Sequence, residues 1–455
     1  MRRLILALIM ITSLVNPFLG AAINVALPQI GEEFSMGAIG MSWVAMAFLL
    51  SSAVFLVPLG KLADIRGRMK IFTWGNIVIA ITSLLCALSG TGSQLIILRG
   101  IQGIGSAMVF GTGMAILTSI YPPGERGKAI GLAVTAVYVG LSLAPSLGGI
   151  LTQYLGWRSV FWFTVPFQAI VVLLSLFRVR KDWADACGDE FDLSGSLVYM
   201  VSMSAFMFGF SRLPGTLALV ICLAGLGGLS LFVILELRTR FPVFPIALFT
   251  TNRRFAFSNL AALINYATTF AITFLLSLYL QYIQGLSPRD AGLVLVIQPL
   301  IMALVATVAG KLSDRYDARI LASSGMALTV IGLLILSTLS ASSSLSLLVL
   351  ALLIVGLGFG FFSSPNTHVI MSSVEKKHLG IASATVGTMR LTGQMISMGI
   401  ATMILQLFVG NHPLNHSHGP DFLRSMQVTF LIFVILCTLG VFASLARGKA
   451  GRVIP

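Results

Sequence analysis

Fourteen runs of predominantly apolar residues divide the chain, each separated from the next by a short polar stretch. They cover approximately residues 4–27, 40–61, 70–89, 94–120, 128–152, 158–177, 193–211, 215–236, 255–283, 290–311, 319–338, 344–371, 379–408 and 426–446. A helix rises about 1.5 Å per residue, so about 20 apolar residues cross a hydrocarbon layer of about 30 Å. Barrel strands would be about ten residues long and strictly alternating, and these runs are longer and continuously apolar. The pattern predicts an all-α integral membrane protein with 14 transmembrane helices. The first run follows Met1-Arg2-Arg3, is long for a signal peptide and ends without a small-x-small cleavage site, so it reads as a retained helix.

Composition agrees. Of 455 residues, 57% are hydrophobic and 10% charged, too few charges to keep a soluble enzyme or a nucleic-acid-binding module in water. The net charge of +14 has another source. Arg99 and Arg390 fall inside spans, and Arg158, Arg212, Arg289 and Arg424 lie at one face. The other 23 of the 29 Lys and Arg residues gather at the face that carries both chain ends. Basic residues concentrate on the cytoplasmic side of a membrane protein. The expectation is a multi-pass protein of the cytoplasmic (inner) membrane, with both termini cytoplasmic and no nucleic-acid partner.

The chain also repeats itself. Gly60-Lys61-Leu62-Ala63-Asp64 closes the second span and Gly310-Lys311-Leu312-Ser313-Asp314 closes the tenth, while Arg126-Gly127-Lys128-Ala129 is echoed weakly by Leu379-Gly380-Ile381-Ala382. Parallel six-helix repeats describe one large transporter architecture. The expected organisation is a six-helix bundle over 1–180, a linker with two extra transmembrane helices over 181–250, and a second six-helix bundle over 251–455.

At these residues the chain resembles the major facilitator superfamily. Gly60 to Lys70 resembles its loop signature, Arg99-Gly100-Ile101-Gln102-Gly103 its fourth-helix signature, and Gly140 to Gly149 the fifth-helix signature of its exporters. Asn24 to Pro28, Leu278 to Gln281 and Arg390 to Gly393 are similar to its 14-helix drug:proton antiporter branch. Two positions depart from the pattern: Leu19 stands where the branch usually has an acid, and Ala144 where it usually has Gly. The resemblance implies the major facilitator fold. It also implies a loop (Gly60, Asp64, Arg66, Gly67, Arg68) that latches the two halves in one access state.

The residues supply their own readings. Gly140, Pro145, Gly148 and Gly149 form a small, bent face suited to close helix packing, here expected between the halves. Arg99 and Arg390 are intramembrane charges, which face a bundle interior or a wet cavity by default. Asn24, Gln102, Tyr138, Asn265, Tyr266, Phe270, Gln298, Phe361, Asn366 and Gln394 are candidates for lining a substrate cavity on helices that line it in the family; Asn16 belongs to the same set. All 15 Asp and Glu residues lie in loops or near helix ends. That leaves His368 and Asp64 as candidates for proton coupling. The four cysteines follow no metal spacing, and His412, His416 and His418 read as a solvated loop; no metal site or cofactor is expected. Gly103-Ile104-Gly105 sits inside an apolar run and reads as packing, not as a dinucleotide fingerprint. No nucleophile–base set or phosphate loop appears, so the chain is not read as an enzyme.

The reading is a monomeric secondary active transporter exporting small amphipathic molecules by alternating access, with protons as the candidate coupling ion. A flippase or carrier for a lipid-like or anionic metabolite on the same fold is the alternative. With Leu19 in place of an acid and Arg390 in a span, neutral or anionic amphipaths are expected to bind better than quaternary ammonium cations.

Overall fold

The polar punctuation between the apolar runs becomes helix caps. Thr91 accepts from the Gln94 N–H (3.2 Å), Asp192 from Gly195 (2.9 Å), Asn252 from Phe255 (3.0 Å) and Ser287 from Asp290 (3.2 Å). Each satisfies a backbone donor that would otherwise have no partner at a helix start. A computed structural model describes residues 1–179, 181–184, 186, 188–239, 242–244, 246–313, 315–375, 379–410 and 419–448, without the side chains of 123, 124, 379 and 380. Cys187, Asp314, His412, His416 and His418 lie outside the described residues.

The helices are α1 (Arg2–Glu33), α2 (Ala38–Arg66), α3 (Arg68–Ala87), α4 (Gly92–Ile120), α5 (Pro123–Leu155), α6 (Arg158–Arg178), α7 (Leu193–Ser211), α8 (Thr216–Glu236) and α9 (Ile246–Thr251). They continue with α10 (Arg253–Thr269), α11 (Ala271–Leu278), α12 (Pro288–Leu295), α13 (Ile297–Leu312), α14 (Ala318–Ser337), α15 (Leu345–Ser372), α16 (Leu379–Phe408) and α17 (Gly419–Ala446). Fourteen stretches are long and apolar enough to cross a membrane, and no strand occurs among the described residues. With an even number of spans, α1 begins and α17 ends on the same face, called here the terminal face.

Four details differ from the expected spans. The ninth is not one unbroken α-helix: it turns at Phe270 and ends in a π-helical turn at Tyr279–Ile283. The tenth is interrupted at Val296. The last helix starts at Gly419 rather than 426, and the short helix α9 lies between the expected spans. Hydropathy registers how much apolar length there is, and a local change from i→i−4 to i→i−5 bonding leaves that length intact.

Helix pairing shows the repeat directly. In the first half α1 packs on α5 and α6, α2 on α4, and α3 on α4 and α6. In the second half α10 packs on α16 and α17, α13 on α15, and α14 on α15 and α17. Each of these first-half pairs has its equivalent in the second. The crossing points repeat as well: Gly75 of α3 lies against the Gly105 backbone of α4, and Gly325 of α14 against Gly358 of α15. A Cβ at any of these four would press into the facing helix, so backbones approach closely there.

The halves meet along two equivalent seams, α2 with α16 and α5 with α12 and α13, and along α1 with α11. The inserted pair breaks this symmetry. α7 packs against both α2 and α16, with the Tyr199 hydroxyl donating to the Ala53 carbonyl (3.3 Å), and α8 packs on α7. Outward-facing apolar side chains such as Trp74, Phe177, Leu217 and Phe442 form the surface expected against lipid.

Candidate functional site

Chemistry in a bundle of this kind belongs where the halves face each other, and the structure sorts the candidate residues by that criterion. At the face opposite the termini the halves are bonded together. Ser277 donates to the Asn24 carbonyl (2.8 Å), and the Gln281 amide donates to the Val25 carbonyl (3.1 Å). Gly149 meets the Pro288 backbone and Gly292 meets the Pro145 carbonyl, so Gly149 and Pro145 pack across the halves. Gly140 and Gly148 face the other way, against Leu14 and Ala22 of α1 in their own half. One small-residue face thus divides between two neighbours.

At mid-depth a polar and aromatic group spans the interface. The Tyr138 hydroxyl of α5 lies 2.9 Å from the Ser363 hydroxyl of α15. Tyr266 of α10 packs edge-on against Phe359 of α15 at 5.4 Å between ring centroids. The Arg390 guanidinium of α16 lies over the Phe110 ring of α4, 4.9 Å from its centroid. Arg390 is within electrostatic reach of both tyrosine hydroxyls. It is half-buried and has no hydrogen-bond or ion-pair partner among the described residues. A charge near the centre of a membrane helix costs at least about 2.5–3.5 kcal/mol, which a contact with one ring only partly offsets.

Arg99 is the opposite case. It is fully buried inside the first half, donating to the Val44 carbonyl (3.2 Å) and the Gln102 side-chain oxygen (2.7 Å), with its guanidinium 4.4 Å from the Phe48 centroid. Gln102 passes the network on to Ser83 (2.8 Å). The pair braces α2, α3 and α4. Asn366 is likewise committed: it accepts from Arg447 (2.8 Å) and donates to the Ser258 carbonyl (3.1 Å) within the second half. Gln298 is buried where α13 crosses Gly356 of α15, Phe270 marks the break in the ninth span, and Phe361 and Gln394 are half-buried.

Asn16 lies on α1 and Asn265 on α10, the first helix of each half. Both are buried, and neither side-chain amide has a partner. Asn24 is also buried, and its side-chain oxygen has no partner. Buried polar groups without partners are uncommon and cost about 1–3 kcal/mol each.

On the terminal face, the turn between α2 and α3 is held from outside the first bundle. Asp64 accepts from Arg68 Nε (2.6 Å), and Arg68 also donates to Ser119 of α4 (2.6 Å). Gly60 lies beside Gly111 of α4, and Arg66 is exposed. The polar linker that follows α6 then folds back over the turn. Asp182 accepts from the Met69 N–H (2.8 Å), Arg68 N–H donates to the Trp183 carbonyl (2.9 Å), and Ala186 N–H donates to the Asp64 carbonyl (3.0 Å). Lys61 pairs with Asp189 (2.7 Å). Gly67 has φ +114°, and a Cβ there would overlap the Asp182 carboxylate. The linker's acidic residues were legible in the sequence as a polar stretch, but their docking was not. His368 is exposed near the end of α15, 3.5 Å from the Ser313 hydroxyl.

Two related bundles joined at equivalent seams, with a mid-depth polar group shared between them, match one family model, the Major Facilitator Superfamily, over residues 9–241 and 259–452. The chain belongs to the Major Facilitator Superfamily. It is a transporter and not an enzyme. It is 30% identical over 442 residues to a riboflavin transporter, RibZ, of Clostridioides difficile, covering 96% of each chain. It is 30% identical to the multidrug resistance protein Stp of Mycobacterium tuberculosis, over 85% of this chain and 73% of that one. A solved bacterial homologue of the lysosomal transporter Spinster shares the fold, with a TM-score of 0.67, 18% identity and coverage of 98% of this transporter and 97% of that chain.

Proposed function

We propose that this transporter exports small amphipathic molecules across the cytoplasmic membrane by alternating access, acting as a monomer with both termini in the cytoplasm. The observation that carries the reading is the mid-depth group of Tyr138, Tyr266, Phe110, Phe359 and Arg390, to which both halves contribute. A mostly aromatic site with few polar fixtures suits ligands recognised by shape and apolar area. Relatives named for multidrug resistance and for antibiotic export, such as the tetracenomycin C export protein of Streptomyces glaucescens, support the direction of transport.

In this reading the bonded ends at Asn24, Ser277 and Gly149 close the outer side, and the Asp64 loop governs the cytoplasmic side. The latch acts through Asp64 and Arg68, steadied by the linker. Asp64→Asn then reduces transport while the protein still folds. Protons, if they drive export, are handled at the periphery by Asp64 or His368, because no acid lies deep in a span. Proteoliposome uptake of a mixed compound panel, with and without an imposed pH gradient, tests the proposal. Accumulation of at least one amphipath supports export; stimulation by the gradient supports coupling. No accumulation of any compound would refute it. Arg390 favours the second reading, a carrier of an anionic metabolite, to the extent that its charge awaits a partner.

A further inference from the structure

Arg390 and Arg99 are both intramembrane arginines, yet only Arg99 has hydrogen-bonding partners. Among the described residues Arg390 has no hydrogen-bond partner, and its contact with the Phe110 ring crosses from one half to the other. The residues around it lie at similar depth. Counted along their helices, Ser363, Phe110, Arg390, Tyr266 and Tyr138 lie about 14–23 Å from the terminal-face ends at about 1.5 Å per residue. Arg390, Tyr138, Tyr266 and Phe110 all keep part of their surface exposed, so they border space and are not sealed in packing.

We infer that Arg390 is the anchor of a binding site for planar aromatic anions, clamped between Phe110 and Tyr138 of one half and Tyr266, Phe359 and Ser363 of the other. This rests on the transport reading of the same central region and names its substrate class. A carboxylate or sulfonate offers the guanidinium two parallel charge-assisted hydrogen bonds, which a ring face cannot. The tyrosine and serine hydroxyls supply further donors, and Phe110 and Phe359 supply flat apolar area beside them. No carboxylate of the protein lies at this depth to compete for the charge or to attract a cation. Binding carries a consequence for movement. An anion that takes the guanidinium draws it from Phe110 and loosens a contact between α4 and α16, so occupancy and the relation of the halves are linked.

The test uses the full chain in lipid nanodiscs and three ligands with one scaffold: 2-naphthoate, 2-naphthamide and a naphthyl trimethylammonium. The expected result is binding of the naphthoate about tenfold tighter than the amide, which corresponds to about 1.4 kcal/mol, with the ammonium weakest. Arg390→Gln brings the naphthoate-to-amide ratio to about one, and Arg390→Lys, which keeps the charge without the planar fork, retains part of the preference. A wild-type protein that binds the three alike, favours the ammonium or binds none of them overturns the inference without recourse to any variant. A preference that survives Arg390→Gln in a protein with an unaltered melting profile overturns it too. Transport of the uncharged amide into proteoliposomes, measured separately, tells failure of this assignment from failure of the transport reading.

Discussion

The Ser277 hydroxyl donates to the Asn24 main-chain carbonyl at 2.8 Å, joining residues 253 positions apart. The bond joins α1 of one half to α11 of the other. Beside it, Gly149 and Gly292 leave no room for a side chain between α5 and α12.

Wedging this seam should open it. Gly149→Leu places a branched side chain against the Pro288 backbone and forces the two ends apart. A cysteine at Gln281 should then react several-fold faster with an impermeant maleimide added from the face opposite the termini. Equal rates with and without the wedge would show that the seam is not the barrier on that face.

The loop between α2 and α3 offers a second prediction. Gly67→Ala asks a side chain to adopt φ +114° and to share space with the Asp182 carboxylate. Strained backbone of this kind costs about 1–3 kcal/mol. The thermal midpoint of the purified protein should fall by several degrees. Asp182→Ala removes the overlap and leaves the backbone strain, so the double variant should recover only part of the loss. A Gly67→Ala protein as stable as wild type would contradict the docking of the linker.

Asn16 and Asn265 are expected to trade stability for function. Replacing either by Leu removes buried amide atoms that have no partner, which should raise stability by about 1–3 kcal/mol if the side chain fits. Transport should fall in the same variants, because an unpaired buried amide on the first helix of each half is explained by a partner that visits during the cycle. Calorimetry with a proteoliposome assay measures both. A more stable variant with undiminished transport would assign the asparagines no role.

Arg99 should behave unlike Arg390. Arg99→Leu strands the Gln102 side-chain oxygen in a sealed interior, so the loss should appear as about 1–3 kcal/mol of stability. The naphthoate-to-amide preference of the protein that remains folded should persist. Loss of that preference in a stable Arg99→Leu protein would place Arg99 in the binding site.

Orientation has its own check. Single cysteines at Ser93 and Ser342 lie at the face opposite the termini, and a cysteine within 182–190, with Cys187 replaced, lies at the terminal face. An impermeant thiol reagent added outside cells should label the first two and spare the third; the reverse pattern would invert the topology. The native Cys86, Cys222 and Cys437 are buried and should contribute little background.

The amino-acid sequence makes the number of spans, their order and the sidedness of charge legible. Those follow from local chemistry: about 20 contiguous apolar residues are stable across a bilayer wherever they lie in a chain, and basic loops sort to one side. It also carried the repeat, because Gly60 and Gly310 mark equivalent helix ends. Which way a side chain faces was decided by the tertiary structure. Arg99 and Arg390 are each an arginine in an apolar run, but Val44, Gln102 and Phe48 close around one, while the other meets a single ring from the opposite half. Gly148 and Gly149 are adjacent in sequence, and a step of about 100° around the helix turns one to α1 and the other to α12. The linker lies on the Asp64 loop through backbone donors and a carboxylate, contacts that hydropathy does not register. A hydrophobic run records that a helix is buried in the membrane, but within a bundle nearly every face is apolar, so only the packing of specific neighbours distinguishes a brace from a binding site.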